Sequence, residues 1–267
     1  MNTIQIKIKA RGEAQEILIS ELENLSTGFE QTDEELIAYF DELKFESYEI
    51  NKILDSFEFR IETLQEKNWN EVWEQNFNPI QIEDFCAIRA DFHQPIKGVK
   101  YELIITPKMS FGTGHHATTY MMIQQMEILN FTNKSVLDFG TGTGVLAILA
   151  EKLGASKIVA IDNDEWSIEN AKENIEKNNC KCIAVEMKSK LPEEKFDIIL
   201  ANINKNVLIE NISQLKRSLY ENSHLLMSGL LMSDEDDIQK ASRSVGLQFK
   251  NKTVKDNWIS ILYMNCK

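Results

Sequence analysis

Length, composition and charge exclude several classes of protein. The chain has 267 residues, of which 43% are hydrophobic, and a net charge of −13, so it can form one large domain or two modest ones. No apolar run approaches the ~18 residues of a membrane span, and the alternating pattern at 3–10 is unlike a signal peptide. The four cysteines have neither metal-ligand spacing nor a disulfide framework, so we expect reduced thiols, a cytoplasmic location and no metal site.

The N-terminal part of the chain predicts a small α+β domain spanning 1–62. Its apolar residues either alternate, as in half-buried strands, or recur at helical spacing. The predicted elements follow the order βαββαβ, which is typical of a ferredoxin-like domain and is frequent among recognition modules. These strands and helices cover 3–10, 13–25, a short run at Phe29, 36–40, 47–54 and 57–62.

Charge is concentrated in this first domain. Residues 1–62 contain 6 Lys/Arg and 15 Asp/Glu, whereas the rest of the chain is close to balance. An acidic surface attracts basic polypeptides and repels phosphate, so we expect this domain to recognise a basic protein and not to bind nucleic acid directly. The alternative is that these acids only keep the protein soluble.

A linker helix is predicted at 63–78, a stretch that contains Trp69 and Trp73 and ends at Pro79. Two regions with small strands, 80–90 and 101–106, and a Met-rich helix at 117–129 follow it. We assign 79–267 to a second, catalytic domain.

A glycine-rich loop at 135–147 predicts a cofactor site. A β-prone run leads into Asp138, three glycines follow at alternate positions (Gly140, Gly142 and Gly144), and an apolar helical pattern comes next. Glycine permits positive φ and close approach to a ligand, and the helix N-terminus offers free N–H groups. A loose dinucleotide fingerprint also fits, but an acid just before the loop suits the cationic amino group of S-adenosylmethionine better than a pyrophosphate.

The next strand supports an adenosine-containing cofactor. The strand at 157–161 ends on Asp162, 22 residues beyond Gly140, where a ribose would offer its hydroxyls. Asp164, two residues later, is a rival for this role. Further βα units continue to a closing pair of strands, 247–254 and 258–264, whose tight connection indicates an antiparallel edge. We therefore predict an α/β fold with a doubly wound, Rossmann-like sheet and a reversed last strand, as in class I methyltransferases.

Four motifs together resemble the PrmA family, the methyltransferases of the eleventh large-subunit ribosomal protein. The resemblance covers nearly the whole chain, and the combination of the first two motifs makes it specific. It implies methyl transfer from S-adenosylmethionine to lysine side-chain amines, and to an N-terminal amine, of that protein. The motifs are Phe111-Gly112-Thr113-Gly114 followed by Thr118-Thr119, the loop at 138–144, Asp162-Asn163-Asp164, and Ala201-Asn202-Ile203.

The family's cofactor positions correspond here to Thr119, Gly140, Asp162 and Asn202. His115, Ala117 and Asn204 depart from the residues that the family commonly has, which bears on substrate geometry and not on the cofactor. The other members of the predicted cofactor site are Asp138, Gly142 and Gly144.

Asn202 and Phe111 are the predicted catalytic residues. A lysine amine must lose a proton before it can attack, and Asn202 can accept hydrogen bonds from the amine without adding a charge that would favour the ammonium form. Phe111 is placed in the methyl-transfer pocket. His115 and His116 could accept a proton, although a structural role is the favoured interpretation.

Two other kinds of function remain open. An RNA or glutamine methyltransferase would be expected to have an Asn-Pro-Pro-Tyr type motif in place of 201–204. The other is a non-catalytic, S-adenosylmethionine-binding module; a binding module without catalysis could keep the acidic N-terminal domain and lose the cofactor loop, which is complete here. We expect a monomer without membrane association.

Overall fold

The computed structural model describes residues 3–23, 25–45, 47–64, 78–106 and 111–266. The chain divides into two compact units, Met1–Asn76 and Phe77–Lys267. Among the residues described, no helix is both long enough and apolar enough to cross a membrane.

The N-terminal unit confirms the predicted βαββαβ order. Its four strands form one antiparallel sheet in the order β2-β3-β1-β4, the split arrangement of ferredoxin-like domains. The alternating Ile4, Ile6 and Ile8 of β1 are buried, together with Leu18 of α1 and Ile50 of α2. The elements are β1 (Thr3–Lys9), α1 (Glu13–Leu22), β2 (Gly28–Gln31), β3 (Glu35–Asp41), α2 (Ser47–Ile53) and β4 (Phe59–Leu64).

The predicted linker helix cannot be compared with the structure over most of its length, because 65–77 lie outside the described residues. Its first two residues were assigned wrongly. Thr63 and Leu64 continue β4, where Thr63 pairs with Ile4 and Leu64 with Thr3 of β1. Alternation of apolar residues stops at Ile61, so pairing with the neighbouring strand extends β4 further than its own sequence indicates.

The second unit contains a small sheet and a large one. The small sheet has the order β5-β6-β7 and precedes the large sheet in the chain. The elements of this unit are β5 (Ile80–Ile82), β6 (Cys86–Arg89), β7 (Tyr101–Ile104), α3 (Ala117–Met126), β8 (Ser135–Phe139), α4 (Val145–Lys152), β9 (Lys157–Asp162), α5 (Glu165–Lys177), β10 (Ile183–Met187), β11 (Phe196–Asn202), α6 (Lys205–Arg217), β12 (Leu219–Leu231), α7 (Glu235–Ser244), β13 (Leu247–Lys255) and β14 (Trp258–Asn265).

The large sheet confirms the predicted doubly wound fold. Its order is β10-β9-β8-β11-β12-β14-β13, and β14 runs in the opposite direction to the other six strands. Apolar clusters cover both faces, as expected for a mostly parallel sheet. The chain adds β9 and β10 on one side of β8 and then crosses over to β11 on the other. In such sheets the crevice at the carboxyl ends of the two strands beside this switch point holds the ligand.

Two strands are longer than the sequence indicates. β12 spans 13 residues, although its longest apolar run is only Leu225-Leu226-Met227, and β11 continues through Ala201 and Asn202. Pairing accounts for both extensions, since Asn202 lies opposite Ser228 in the β11–β12 ladder. Asn202 therefore belongs to the end of a rigid strand and not to the following loop.

Candidate active site

A cavity of about 490 Å³ opens at the carboxyl edge of the large sheet, beside the switch point. This volume lies within the usual range for small-molecule sites. Its lining comes from the ends of β8, β9, β10 and β11, the 111–118 segment, the first turns of α5 and α6, β12 and the start of β14. The lining residues are Phe111, His116, Thr118, Phe139, Gly140, Gly142, Asp162, Asn163, Ser167, Lys188, Ser189, Asn202, Ile203, Asn204, Val207, Gly229 and Trp258.

The glycine loop forms one wall of the cavity and leaves no room for side chains. Gly140 and Gly142 have φ of 76° and 53°, and a Cβ on either would lie 2.3 Å from a neighbouring atom, Ile203 Cγ2 or Phe111 O respectively. Gly144 takes the N-cap position of α4 in the left-handed region, with no side-chain cap. The backbone thus reaches the cavity directly, and the positive end of the α4 dipole lies at the end of the loop.

Asp162, at the end of β9, lines the cavity and is held by backbone N–H groups. Its Oδ2 accepts from Gly142 N at 2.9 Å, and its Oδ1 accepts from Asn163 N at 2.8 Å and Asp164 N at 3.1 Å. Its rival Asp164 is the N-cap of α5, where its Oδ2 accepts from the Ser167 backbone at 2.8 Å. Asp164 does not line the cavity, so the geometry favours Asp162 for a ligand at this strand end.

Asp138 lies beneath the loop and does not line the cavity. Its side chain is buried, its Oδ2 accepts from Thr141 Oγ1 at 2.6 Å, and its Oδ1 has no hydrogen-bond partner among the described residues. Burial raises the pKa of Asp138 to about 7, and the nearby Asp162 carboxylate acts in the same direction, while the Thr141 hydroxyl and the Ala147 backbone N–H oppose the shift. The predicted contact between Asp138 and a cofactor amino group stays a prediction.

Asn202 lines the cavity and has a buried acceptor without a partner among the described residues. The residue is only 9% exposed, and its Nδ2 donates to Thr119 Oγ1 at 3.2 Å. Its Oδ1 is buried and has no partner among the described residues. Thr119 is fully buried behind Asn202 and fixes this amide from α3. An unpaired buried oxygen is costly, so its presence in a cavity wall indicates a ligand that donates to it.

Three aromatic rings, those of Phe111, His116 and Trp258, contribute to the cavity lining. The ring centroid of His116 lies 5.2 Å from that of Phe111 and 4.6 Å from that of Trp258. His116 is also the N-cap of α3, since its Nδ1 accepts from Thr118 N at 3.3 Å. This capping agrees with the structural role favoured for His116, while His115 Nδ1 lies 3.3 Å from Thr113 Oγ1. Phe111 is 56% exposed, so its ring faces the open side of the cavity.

Thr143 joins the 111–114 segment to the glycine loop. Its backbone N–H donates to Phe111 O at 3.0 Å, and its buried hydroxyl donates to Gly112 O at 2.8 Å. The two glycine-rich motifs of the sequence are therefore in direct contact.

The structure brings five of the predicted site residues to the cavity surface and places three behind it. Phe111, Gly140, Gly142, Asp162 and Asn202 line the cavity. Thr119, Asp138 and Gly144 support these residues from the interior or from the start of α4.

Sequence reasoning missed several lining residues. Lys188 and Ser189 follow β10, where the strand-end rule could have found them. Gly229 lies within β12, and a Cβ there would lie 2.2 Å from Ile203 O. Trp258 begins the reversed strand, and nothing local in its sequence marks it as a site residue.

The fold and the cavity together define the class of protein. A doubly wound sheet with one reversed strand has a glycine cradle at β8, a carboxylate at the end of β9 and an unpaired amide oxygen at the end of β11. These groups fit S-adenosylmethionine: the cradle admits close approach, and the acid and the amide can accept from hydroxyl and amino groups. The protein is an S-adenosylmethionine-dependent methyltransferase of class I.

Comparison with known proteins identifies the family. A family model described as "Ribosomal protein L11 methyltransferase (PrmA)" matches residues 2–265, and the chain belongs to this family. A ribosomal protein L11 methyltransferase of Porphyromonas gingivalis is 37% identical over 262 residues, covering 94% of this chain and 90% of the relative. Another, from Phocaeicola vulgatus, is 37% identical over 238 residues, or 85% of each chain.

A solved structure supports the same assignment. The crystal structure of ribosomal protein L11 methylase from Lactobacillus delbrueckii subsp. bulgaricus has a TM-score of 0.67 and 30% identity to this chain. It is matched over 100% of its length and 72% of this chain. The family resemblance, the fold and the cofactor that the sequence predicts are thereby confirmed.

Proposed function

We propose that this protein methylates lysine side-chain amines, and an N-terminal amine, of ribosomal protein L11. Membership of the family and the names of the relatives support the substrate. The observation that carries the reaction is the unpartnered Oδ1 of Asn202, a neutral acceptor in the cavity wall. We further propose that the protein acts as a cytoplasmic monomer, because ribosomal proteins are made and assembled there.

The chemical requirement explains why an amide suits this position. When bound, S-adenosylmethionine supplies a methyl group that its sulfonium already activates, so the protein must align the amine and favour its neutral form. A free lysine has a pKa of ~10.4, and a carboxylate beside it would stabilise the ammonium ion. Asn202 Oδ1 can accept from an amine N–H and orient the lone pair without adding charge. Phe111 borders the same cavity and excludes water from the entering alkyl chain.

The remaining residues of the predicted site serve the cofactor in this proposal. Gly140 and Gly142 provide the close backbone approach, and Asp162 accepts from ribose hydroxyls. Thr119 fixes the Asn202 amide. Gly144 starts the helix, and Asp138 lies beneath the loop, outside the cavity lining.

Substitution of Asn202 by Ala tests the catalytic assignment. The loss of a well-placed polar contact in a closed site lowers rates by ~10²-fold, so single-turnover methylation of ribosomal protein L11 at saturating cofactor should slow by about that factor. Asn202→Asp should not restore the rate, because its carboxylate favours the ammonium form. Asn211→Ala is the control: the Nδ2 of Asn211 also donates one hydrogen bond, to Val207 O at 2.9 Å, but Asn211 does not line the cavity.

Two results would contradict the proposal at different points. An Asn202→Ala rate within about threefold of wild type would remove Asn202 from the mechanism. If mass spectrometry finds no methyl group on ribosomal protein L11 after incubation with the wild-type enzyme and cofactor, the substrate assignment is wrong.

We propose that the N-terminal unit recognises the protein substrate through its acidic surface. Residues 1–62 hold 15 acids against 6 basic residues, which favours a basic polypeptide over nucleic acid. Charge complementarity acts mainly on association rates and is screened by salt. The full-length double variant Glu16→Lys/Glu23→Lys should therefore associate more slowly and with weaker salt dependence. Glu193→Lys/Glu210→Lys reverses two exposed acids of the second unit and is the control; equal effects of both variants would contradict this role.

A further inference from the structure

Three asparagines form a buried line along one face of α5 and its C-cap. Asn170, Asn174 and Asn178 are four residues apart, which places them one above another on the helix. Their exposed fractions are 1%, 0% and 8%. Asparagine is a poor helix former and costly to bury without partners, so three such residues in register indicate a specific hydrogen-bonding role.

These amides pair with the open edge of β7 and its continuation. Asn178 accepts from Ile104 N at 3.0 Å and donates to Ile104 O at 2.6 Å. Two residues further along, Asn174 accepts from Thr106 N at 2.8 Å. The intervening Ile105 N donates the other way, to Arg89 O of β6 at 2.8 Å. The side chains of α5 thus take the place that a further strand would occupy.

Asn174 differs from the other two because it also reaches the cofactor loop. Its Nδ2 donates to the Thr143 carbonyl at 2.9 Å and to Asn170 Oδ1 at 3.0 Å. Thr143 in turn donates hydrogen bonds from its backbone N–H to Phe111 O and from its hydroxyl to Gly112 O. Residues 107–110 lie outside the described residues. The Asn174 amide bonds to Thr106, just before them, and to Thr143 of the glycine loop, which in turn bonds to Phe111 and Gly112, just after them.

We propose that Asn174 is a positioning residue that sets the Phe111 segment against the glycine loop. It lies outside the cavity lining and acts through Thr143 and Thr106, so its effect reaches the cofactor only by way of the backbone. The fixed length of the amide links the position of Thr106 to that of Thr143. Without this link Thr143 is held less firmly, so the Phe111 and Gly112 carbonyls that it binds are positioned less precisely, which weakens cofactor binding and misaligns Phe111.

Matched aspartate variants separate positioning from simple support of the fold. Asn174→Asp keeps an acceptor for Thr106 N but loses the donors to Thr143 O and Asn170 Oδ1. Asn178→Asp keeps an acceptor for Ile104 N but loses the donors to Ile104 O and Asn174 O. Both should lower the melting temperature. Loss of one buried hydrogen bond is typically worth about a tenfold factor, so Asn174→Asp should raise the Kd for S-adenosylmethionine about tenfold, with faster amide exchange at 111–114 in the free protein. Asn178→Asp should leave the Kd for S-adenosylmethionine and the rate of amide exchange at 111–114 within about twofold of wild type.

A second variant covers the case in which Asn174→Asp does not fold. Thr143→Val keeps the carbonyl that Asn174 binds but removes the hydroxyl bond to Gly112, and it should also raise Kd and accelerate exchange at 111–114. Unchanged cofactor affinity in Asn174→Asp or Thr143→Val would overturn the proposal, as would equal losses in the Asn174 and Asn178 variants. Calorimetry and exchange need no protein substrate, so the outcome is independent of the proposed action on ribosomal protein L11.

Discussion

Substitution of Gly142 by Ala tests whether contact between the two glycine-rich segments creates the cofactor site. Gly142 has φ of +53°, and a Cβ there would lie 2.3 Å from Phe111 O and 3.2 Å from Phe111 C. Gly246, between α7 and β13, has φ of +81°, but a Cβ there would have no atom within 4 Å apart from its own chain neighbours. The two alanine variants therefore share the strain of a positive φ, and only one adds a collision.

The expected magnitudes follow from this difference. A left-handed alanine costs roughly 1–2 kcal/mol, which both variants lose in free energy of unfolding. The overlap with Phe111 involves a backbone carbonyl, which no side-chain rotation can relieve, so a further loss of about 1–3 kcal/mol is expected in Gly142→Ala alone. Relief of the overlap requires movement of the glycine loop or of the Phe111 segment. A displacement of about 1 Å in a positioned site can cost ~10²-fold.

Calorimetric titration with S-adenosylmethionine and urea unfolding measure the two effects on the same samples. Gly142→Ala should bind the cofactor at least about 100-fold more weakly, a factor that corresponds to about 2.7 kcal/mol, whereas Gly246→Ala should bind it as wild type does. Wild-type affinity in a folded Gly142→Ala variant would refute the reasoning, because it would mean that the close approach to Phe111 is not needed for the site.

Two further predictions concern residues behind the cavity. Thr119→Val removes the partner of Asn202 Nδ2 and should lower the single-turnover rate of methylation about tenfold. Because Thr119 and Asn202 act through the same amide, the Thr119→Val/Asn202→Ala double variant should be no slower than Asn202→Ala, and additive losses would contradict this role of Thr119. Because burial raises the pKa of Asp138 to about 7, this carboxyl ionises at lower pH in the unfolded state than in the folded one. The free energy of unfolding of the wild type should therefore fall by about 1.4 kcal/mol per pH unit as pH rises from about 4 to about 7. Asp138→Asn should lack this loss, and parallel urea-unfolding stabilities of the two proteins between about pH 4.5 and 7 would contradict the assignment.

The sequence was sufficient for the parts of the site that local chemistry specifies. Glycines at alternate positions can only mean a backbone that must bend or approach closely, and Gly140 and Gly142 do both. Asp162 and Asn202 were predictable because strands of a parallel sheet present their carboxyl ends at one edge. The fold class followed from the alternation of apolar strands and amphipathic helices, which the order β10-β9-β8-β11-β12-β14-β13 confirms.

What the sequence did not predict depends on contacts between distant segments. Trp258 reaches the cavity because β14 inserts between β12 and β13, and no periodicity specifies that insertion. The buried face of α5 carries Asn174 and its neighbours, which in a sequence resemble the polar surface of an amphipathic helix. Only the open edge of β7 explains why these amides face inward.

The distribution of charge around the cavity is consistent with the proposed reaction on an amine. Asp162 is the carboxylate of the cavity lining, and both of its oxygens are already engaged by backbone N–H groups. Asp138 is sealed beneath the loop, where burial favours its neutral form. At the end of β11 the lining offers Asn202 instead of an acid, so an entering lysine meets an acceptor that does not stabilise its ammonium form. In the proposed function, the Asp162 carboxylate would instead hold the ribose hydroxyls of the cofactor. Exchanging the two residues, with Asp at 202 and Asn at 162, would keep the shape of the site. The acid at 202 should then stabilise the ammonium form of the substrate, and the amide at 162 should bind the cofactor less well than the carboxylate.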